Sequence, residues 1–132
     1  MSDPQLVLAA RVQAAIVAAF GADHADADPV IRPSSFADFQ ANAALPLAKK
    51  LSRRPREVAD EIVAHLDVAD IVSGIEVSGP GFVNLTLADS WIAAQVDALD
   101  DRLGVPATAD PLTIVVDYSS PNIAKEMLAH HI

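Results

Sequence analysis

The chain has 132 residues, of which 52% are hydrophobic and 20% are charged, a composition typical of one compact domain and not of a disordered segment. It contains no cysteine, which excludes disulfides, thiolate metal sites and thiol catalysis. The 18 acidic and nine basic residues give a net charge of −9, which argues against nucleic-acid binding over the whole surface because phosphate contacts need cations.

The first predicted element is an amphipathic helix near the N-terminus. Its apolar face repeats at every fourth residue, at Leu8, Val12, Ile16 and Phe20. Ser2 or Asp3 is expected to cap its start, and Gly21 to end it. Because the apolar stretch is interrupted by Arg11 and Gln13 and follows no basic segment, we expect no signal peptide, no membrane contact and a cytoplasmic location.

The middle of the chain mixes strand and helix signals. Residues 30–32 predict an edge strand, since they are short, β-branched in part and followed by Pro33. A helical pattern runs over residues 38–51, and we expect Pro46 to kink or divide this helix. A further helix is predicted to begin near Pro55, with its apolar stripe toward the core.

A β-hairpin and a last helix complete the predicted domain. Residues 75–77 and 82–87 predict two strands joined by the Gly- and Pro-containing turn 78–81, with one face buried under helices. Asp89 is expected to cap a helix that ends before Gly104 and buries a set of large apolar side chains, namely Trp91, Ile92, Val96, Leu99 and Leu103. Residues 1–104 therefore predict an α+β domain, with four or five helices packed on one face of a small, mostly antiparallel sheet.

The character of the chain changes after residue 104. Residues 105–111 are typical of a linker, and the apolar run 112–116 predicts a strand buried on both faces. A polar loop and a helix start over residues 117–132 complete the strand–loop–helix order with which a Rossmann-type domain begins. Its helix N-terminus and Lys125 suit an anionic ligand, although a strand–turn–helix without any ligand is the more common meaning of such a pattern.

Basic residues are concentrated in one short stretch. Five of the nine lie within eight positions that contain no acidic residue, at Lys49, Lys50, Arg53, Arg54 and Arg56. The rest of the chain, with four basic and 18 acidic residues, carries −14. Two interpretations stay open for this stretch, which are a solvated surface at a helix junction and a phosphate-binding patch.

Several segments resemble one enzyme family. The sequence VDYSSPNIAKEM at residues 116–127 strongly resembles the opening of the catalytic domain of arginyl-tRNA synthetases, class I enzymes that activate arginine with ATP and load it onto tRNA. Upstream segments resemble the N-terminal additional domain of the same enzymes, in the same order: DFQANAA at 38–44, LAKKL at 47–51, PREVA at 55–59 and SGPGFVN at 78–84. The resemblance covers essentially the whole chain.

The resemblance implies roles for residues near the C-terminus. Ser120 and Asn122 would line the arginine pocket, and Lys125 and His131 would approach ATP. The family's His-x-Gly-His signature is broken here, because Leu128 replaces its first His and His130 its Gly. ATP and Mg are substrates of the family, but we expect neither a cofactor nor a metal for this chain. With one strand and part of one helix, it is expected neither to form arginyl-adenylate nor to charge tRNA.

For the N-terminal domain, the resemblance implies binding of the tRNA elbow. A D-loop base of an arginine-accepting tRNA would lie on a platform of aromatic and amide side chains, namely Phe39, Gln40, Asn42, Phe82 and Asn84. The alternative is that both Phe residues belong to the core and that the amides are caps. DNA is not an expected partner. The acidic balance keeps a second function open, a free-standing protein-interaction or regulatory module that docks on a synthetase or another protein.

Overall fold

The computed structural model describes residues 3–105 and 107–117. Within these ranges it has four α-helices, a short 3-10 helix at Ala22–His24 and one four-stranded sheet. The helices are α1 (Pro4–Phe20), α2 (Ala44–Leu51), α3 (Pro55–Ala64) and α4 (Asp89–Asp97). The strands are β1 (Ile31–Pro33), β2 (Phe39–Ala41), β3 (Val72–Ser78) and β4 (Phe82–Leu87).

The sheet has the strand order β1-β2-β4-β3, and every neighbouring pair is antiparallel. Helix α1 contacts β1 and α3, while α3 contacts β3, β4 and α2. The predicted α+β fold with a small antiparallel sheet is therefore confirmed. Strand β1 lies at an edge of the sheet, as predicted. Pro33 fits this position because proline has no N–H to donate, and an edge strand has a hydrogen-bonded neighbour on one side only.

The core lies between the helices and one face of the sheet. Its most buried side chains, each at most 2% exposed, include Leu8, Val12 and Ile16 of α1, Val58 and Ile62 of α3, and Val83 and Leu85 of β4. Burying such a side chain stabilises the fold by about 1.5–3 kcal/mol. The capping of α1 also agrees with the sequence, since the Asp3 carboxylate accepts a hydrogen bond from Gln5 N at 2.8 Å.

The helix predicted from residue 38 is wrong at its start. Phe39–Ala41 instead forms β2, and α2 begins only at Ala44. Pairing with β4 supplies hydrogen bonds that local helix propensity does not outweigh. Pro46 consequently lies in the first turn of α2, where a backbone N–H has no helical partner to lose. It does not divide the helix, which continues to Leu51.

The last helix is shorter and more exposed than predicted. Helix α4 ends at Asp97, Ala88 and not Asp89 is its N-cap, and none of its residues is buried. Val96 is 57% exposed and Leu103 is 71% exposed, whereas Trp91 packs against the edge of the core. An apolar stripe is buried only where a partner covers it, and within the described residues Ile92 and Val96 of α4 stay exposed. Across residues 3–105 and 107–117, no helix combines the length and apolar character needed to cross a membrane.

The strand predicted at residues 112–116 is not formed in the part of the chain that the structure describes. These residues have no regular secondary structure, and Val115 is 89% exposed. A strand needs a neighbour for its backbone hydrogen bonds, and none pairs with this segment. The loop and helix predicted beyond Asp117 lie outside the described residues.

The turn between β3 and β4 generates the first prediction, since it lies against the start of α3. Gly81 has φ of +134°, and a Cβ at this position would be 2.7 Å from Pro55 O. Gly81→Ala should therefore lower the free energy of unfolding by about 2–4 kcal/mol, from backbone strain and steric overlap together. Urea denaturation of the 132-residue chain measures the change.

Gly74→Ala is the matched control in the same hairpin. A Cβ there meets only Thr86 Cβ at 3.9 Å, and this glycine has no left-handed φ. We expect it to change the free energy of unfolding by less than about 1 kcal/mol. Equal urea midpoints for the two variants would contradict the close packing of the turn on α3.

Candidate functional site

Polar side chains cluster on the face of the sheet that is turned away from the core. Gln40 of β2 lies opposite Asn84 of β4, and Glu76 of β3 lies opposite Asn84 from the other side. Successive residues of a strand point to opposite faces, so these three share one face while Val83 and Leu85 point into the core. The register of three strands thus brings residues far apart in sequence into one row.

Hydrogen bonds connect Gln40 and Asn84 of this row in one network with Ser78 on the same face of the sheet. Gln40 Nε2 donates to Asn84 Oδ1 at 2.8 Å, and Asn84 Nδ2 donates to Ser78 Oγ at 2.8 Å. Asn84 is only 6% exposed, so an unbonded amide here would cost about 1–3 kcal/mol. The two bonds remove most of that cost and hold three polar side chains in one arrangement.

A surface cavity of about 440 Å³ lies beside the network. It is lined by Phe36, Glu76, Ser78, Gly79, Phe82 and Asn84. The Phe36 side chain is 86% exposed, and the Phe82 ring is half-buried. Aromatic rings next to amide and carboxylate groups suit a flat ligand with hydrogen-bonding edges, such as an unstacked nucleobase. We call this cavity and Gln40 the outer pocket.

The structure brings only some of the predicted platform together. Phe82 and Asn84 line the outer pocket, and Gln40 is bonded to Asn84. Phe39 is not there, because it pairs with Leu85 and packs against the core on the other face of the sheet. Asn42 follows β2 and does not line the pocket, although its Oδ1 atom is buried without a hydrogen-bond partner among the described residues.

The sequence analysis did not name four residues of the outer pocket as site residues: Phe36, Glu76, Ser78 and Gly79. Glu76, Ser78, Phe82 and Asn84 alternate along the predicted hairpin, so the period of two could have placed the first two on the same face as the others. Phe36 lies in the short segment between the predicted edge strand and the predicted helix, and an aromatic residue there with no apolar periodicity around it was the available signal.

Arg53 of the basic stretch is bound within the protein. Its Nη1 atom lies 2.7 Å from Glu61 Oε2, and its guanidinium carbon lies 5.8 Å from the centre of the Phe20 ring. These contacts tie the junction of α2 and α3 to the end of α1. The side chain is therefore less available to a phosphate group than the sequence suggests.

The other cations of the stretch differ in their surroundings. Arg54 Nη1 lies 3.8 Å from Glu57 Oε1, and Arg56 Nε lies 3.7 Å from Asp60 Oδ1. Lys49 and Lys50 are exposed in the last turn of α2, and no carboxylate within residues 3–105 and 107–117 pairs with either. Lys50 does border a smaller cavity of about 210 Å³, whose rim includes Asp26 and Asp28. Among the described residues, Lys49 is thus the one of the five with neither an ion pair nor a place beside this acidic cavity.

Arg56 links the basic stretch to the outer pocket. Its Nη1 atom lies 3.5 Å from Gly79 O, and Gly79 lines the pocket. The approach of Gly81 to Pro55 holds the hairpin turn in this place. A ligand in the pocket would therefore have a cation at its border.

The four residues assigned to arginine and ATP, Ser120, Asn122, Lys125 and His131, lie outside the described residues. Their roles stay predictions.

The chain is similar in sequence and fold to proteins already described. The family described as "Arginyl tRNA synthetase N terminal domain" matches residues 6–87. The arginine–tRNA ligase of Thermobifida fusca is 60% identical over 134 residues, and that of Nostoc punctiforme is 47% identical over 137 residues. Both alignments cover 100% of this chain but only 23% and 24% of the relatives, so the chain spans about a quarter of their length.

A solved structure supports the fold. The crystal structure of arginyl-tRNA synthetase from Plasmodium falciparum superimposes with a TM-score of 0.64 at 18% identity, covering 74% of this chain and 18% of that one. At this level of identity the likeness shows a shared fold.

The surroundings of Arg53 generate the second prediction. Arg53→Ala removes a partly exposed ion pair and a cation–π contact, so it should lower the free energy of unfolding by about 1 kcal/mol. Lys49→Ala, its control in the same stretch, should change it by less than about 0.5 kcal/mol. Urea denaturation checks both values. If Lys49→Ala lowered the free energy of unfolding more than Arg53→Ala, the result would contradict a structural role for Arg53 and a free side chain at Lys49.

Proposed function

Because the chain belongs to the arginyl-tRNA synthetase N-terminal domain family, we propose that it binds arginine-accepting tRNA through the outer pocket. The observation that carries the proposal is the hydrogen-bonded network of Gln40, Asn84 and Ser78, which lies beside the exposed ring of Phe36. An unpaired base of the D-loop stacks on such a ring, and its edge bonds to amide groups held in place. A base that is paired and stacked within a double helix leaves neither its flat face nor its Watson–Crick edge free for these contacts.

Phosphate contacts would supply the part of the affinity that is independent of sequence. Lys49 and Lys50 are the cations best able to make them, with Arg56 at the border of the pocket. The remaining surface is acidic, which opposes encounter with RNA. We therefore expect weak binding by this chain, with dissociation constants in the micromolar range at best, and a strong dependence on salt.

Ligation of arginine to tRNA with ATP and Mg is proposed for a longer protein and not for this chain. The relatives named for that activity are about four times as long, since the chain spans 23% of one and 24% of another. That the chain alone forms no arginyl-adenylate stays a prediction. A cytoplasmic location is part of the same proposal, since the proposed partner is tRNA.

One observation favours the alternative of a protein-docking module. Helix α4 has no buried residue, and Ile92 and Val96 are 42% and 57% exposed. Exposed apolar side chains on one helix are typical of a surface that another protein segment covers. This contact would lie on α4 and not in the outer pocket, so the two functions are separable by mutation.

The third prediction concerns the phosphate contacts. Lys49→Ala and Lys50→Ala should each weaken binding to every tRNA alike and flatten the plot of log K against log salt by about one unit. Arg102→Ala, a cation outside the basic stretch, should leave that slope unchanged. Filter binding over a series of salt concentrations measures the slopes. Absence of binding to any tRNA at low salt would overturn the proposal in favour of the docking module.

The fourth prediction concerns base recognition. Phe36→Ala should cost about 1–3 kcal/mol of binding free energy through lost stacking, and Gln40→Ala about 1–2 kcal/mol through a lost hydrogen bond. Neither should alter the salt slope. Leu6→Ala is the control, because Leu6 is also exposed, at 69%, but lies on α1.

A double-stranded RNA without unpaired bases tests the same point from the ligand side. Phe36→Ala should not change its affinity, because no base is free to stack. Equal losses with tRNA and with the duplex would contradict a base-binding role of the outer pocket.

A further inference from the structure

We infer that Ser78 is a positioning residue, whose hydroxyl group holds the Asn84 amide in one orientation and so determines which hydrogen-bonding atoms the outer pocket offers to a base. The inference rests on the proposed tRNA binding and adds to it a residue that does not itself need to contact RNA. Ser78 lies at the end of β3, directly before the hairpin turn.

The Asn84 amide is held from both sides. Gln40 Nε2 donates to its oxygen at 2.8 Å, and its nitrogen donates to Ser78 Oγ at 2.8 Å. With Asn84 only 6% exposed, water has little access to replace either partner. The amide plane and the positions of its oxygen and nitrogen atoms are thus determined by these two neighbours.

This orientation decides what remains free for a ligand. Gln40 uses one N–H in the network, so its Oε1 atom stays available as an acceptor. Ser78 accepts from Asn84, and its own proton is left to donate. The reversed network, with Ser78 donating to the Asn84 oxygen and Gln40 accepting from its nitrogen, would offer an N–H group at Gln40 instead. The two arrangements therefore present opposite patterns to a base edge.

Glu76 is compatible with the first arrangement. Glu76 and Ser78 line the same pocket and lie on the same face of β3, two residues apart. An ionised carboxylate only accepts hydrogen bonds, so it complements a hydroxyl group that donates into the pocket. The Ser78 oxygen accepts from Asn84 Nδ2 in this arrangement. Removal of the hydroxyl group would release the nitrogen end of the amide while the Gln40 end remains.

Three variants of the full chain test this role. Ser78→Ala removes the hydroxyl group, Ser78→Thr retains it, and Ser73→Ala is the matched control. Ser73 is on the same strand and donates to Leu87 O at 3.2 Å, but does not line the outer pocket. Circular dichroism and urea denaturation establish that each variant is folded.

The first readout is base preference. The ligands are four arginine tRNA transcripts that differ only in the D-loop base that the wild-type chain protects from chemical modification. Ser78→Ala should reduce the ratio between the highest and lowest affinity by about five- to tenfold, with an unchanged salt slope. Ser78→Thr should restore the ratio to within about twofold of wild type, and Ser73→Ala should leave it unaltered. A merely structural defect would lower all four affinities together.

The second readout needs no RNA. Heteronuclear NMR of the free chain resolves the two side-chain amide protons of Asn84, and Ser78→Ala should move them toward the shifts of a solvent-exposed amide. Ser78→Thr should not. Unchanged Asn84 signals or an unchanged base ratio in folded Ser78→Ala would overturn the inference. Failure of the proposed function is distinguishable, because the wild-type chain then binds no tRNA while the NMR result still decides whether Ser78 holds Asn84.

Discussion

The pairing of β2 with β4 determines both the core and the outer pocket. In this register Gln40 lies opposite Asn84 on the outer face, while Phe39 and Leu85 pair on the inner face. A slip of one residue would exchange the two faces, burying amides in the core and exposing apolar side chains. Packing of Val83 and Leu85, each at most 2% exposed, therefore fixes the position of the amides that a base would contact.

The close approach of the hairpin turn to α3 is the second constraint. Gly81 allows the turn to lie against Pro55 because it has no Cβ. This contact brings the pocket residue Gly79 beside Arg56, which stands next to Pro55 at the start of α3. The packing of the turn on α3 and the contact of Arg56 Nη1 with Gly79 O thereby hold a cation beside the cavity.

The basic stretch contains two kinds of cation, those bound within the protein and those exposed to solvent without an ion pair. The ion pair of Arg53 with Glu61 and its contact with Phe20 connect helices, whereas Lys49 and Lys50 are free to meet a ligand. Exposed ion pairs each contribute little to stability, but they neutralise charge locally. The number of cations in a sequence stretch thus overstates the number available for phosphate groups.

The sequence by itself determined those elements whose signals are local. The four-residue apolar period of α1, proline at the start of α3 and the alternating hairpin strands each favour one structure, since their side chains need only a generic apolar surface to bury. The resemblance of quoted motifs also indicated the family before any contact was visible. Gln40, Phe82 and Asn84 were found in this way as members of one surface.

Only the tertiary structure decided the rest. Residues 39–41 form a strand because β4 offers backbone partners, and Phe39 moves to the core for the same reason. Ile92 and Val96 of α4 stay exposed, and residues 112–116 form no strand because no described strand pairs with them. Phe36, Glu76 and Ser78 become pocket residues through strand register and a turn conformation. Pairing, coverage and register depend on residues distant in sequence, so local patterns do not determine them.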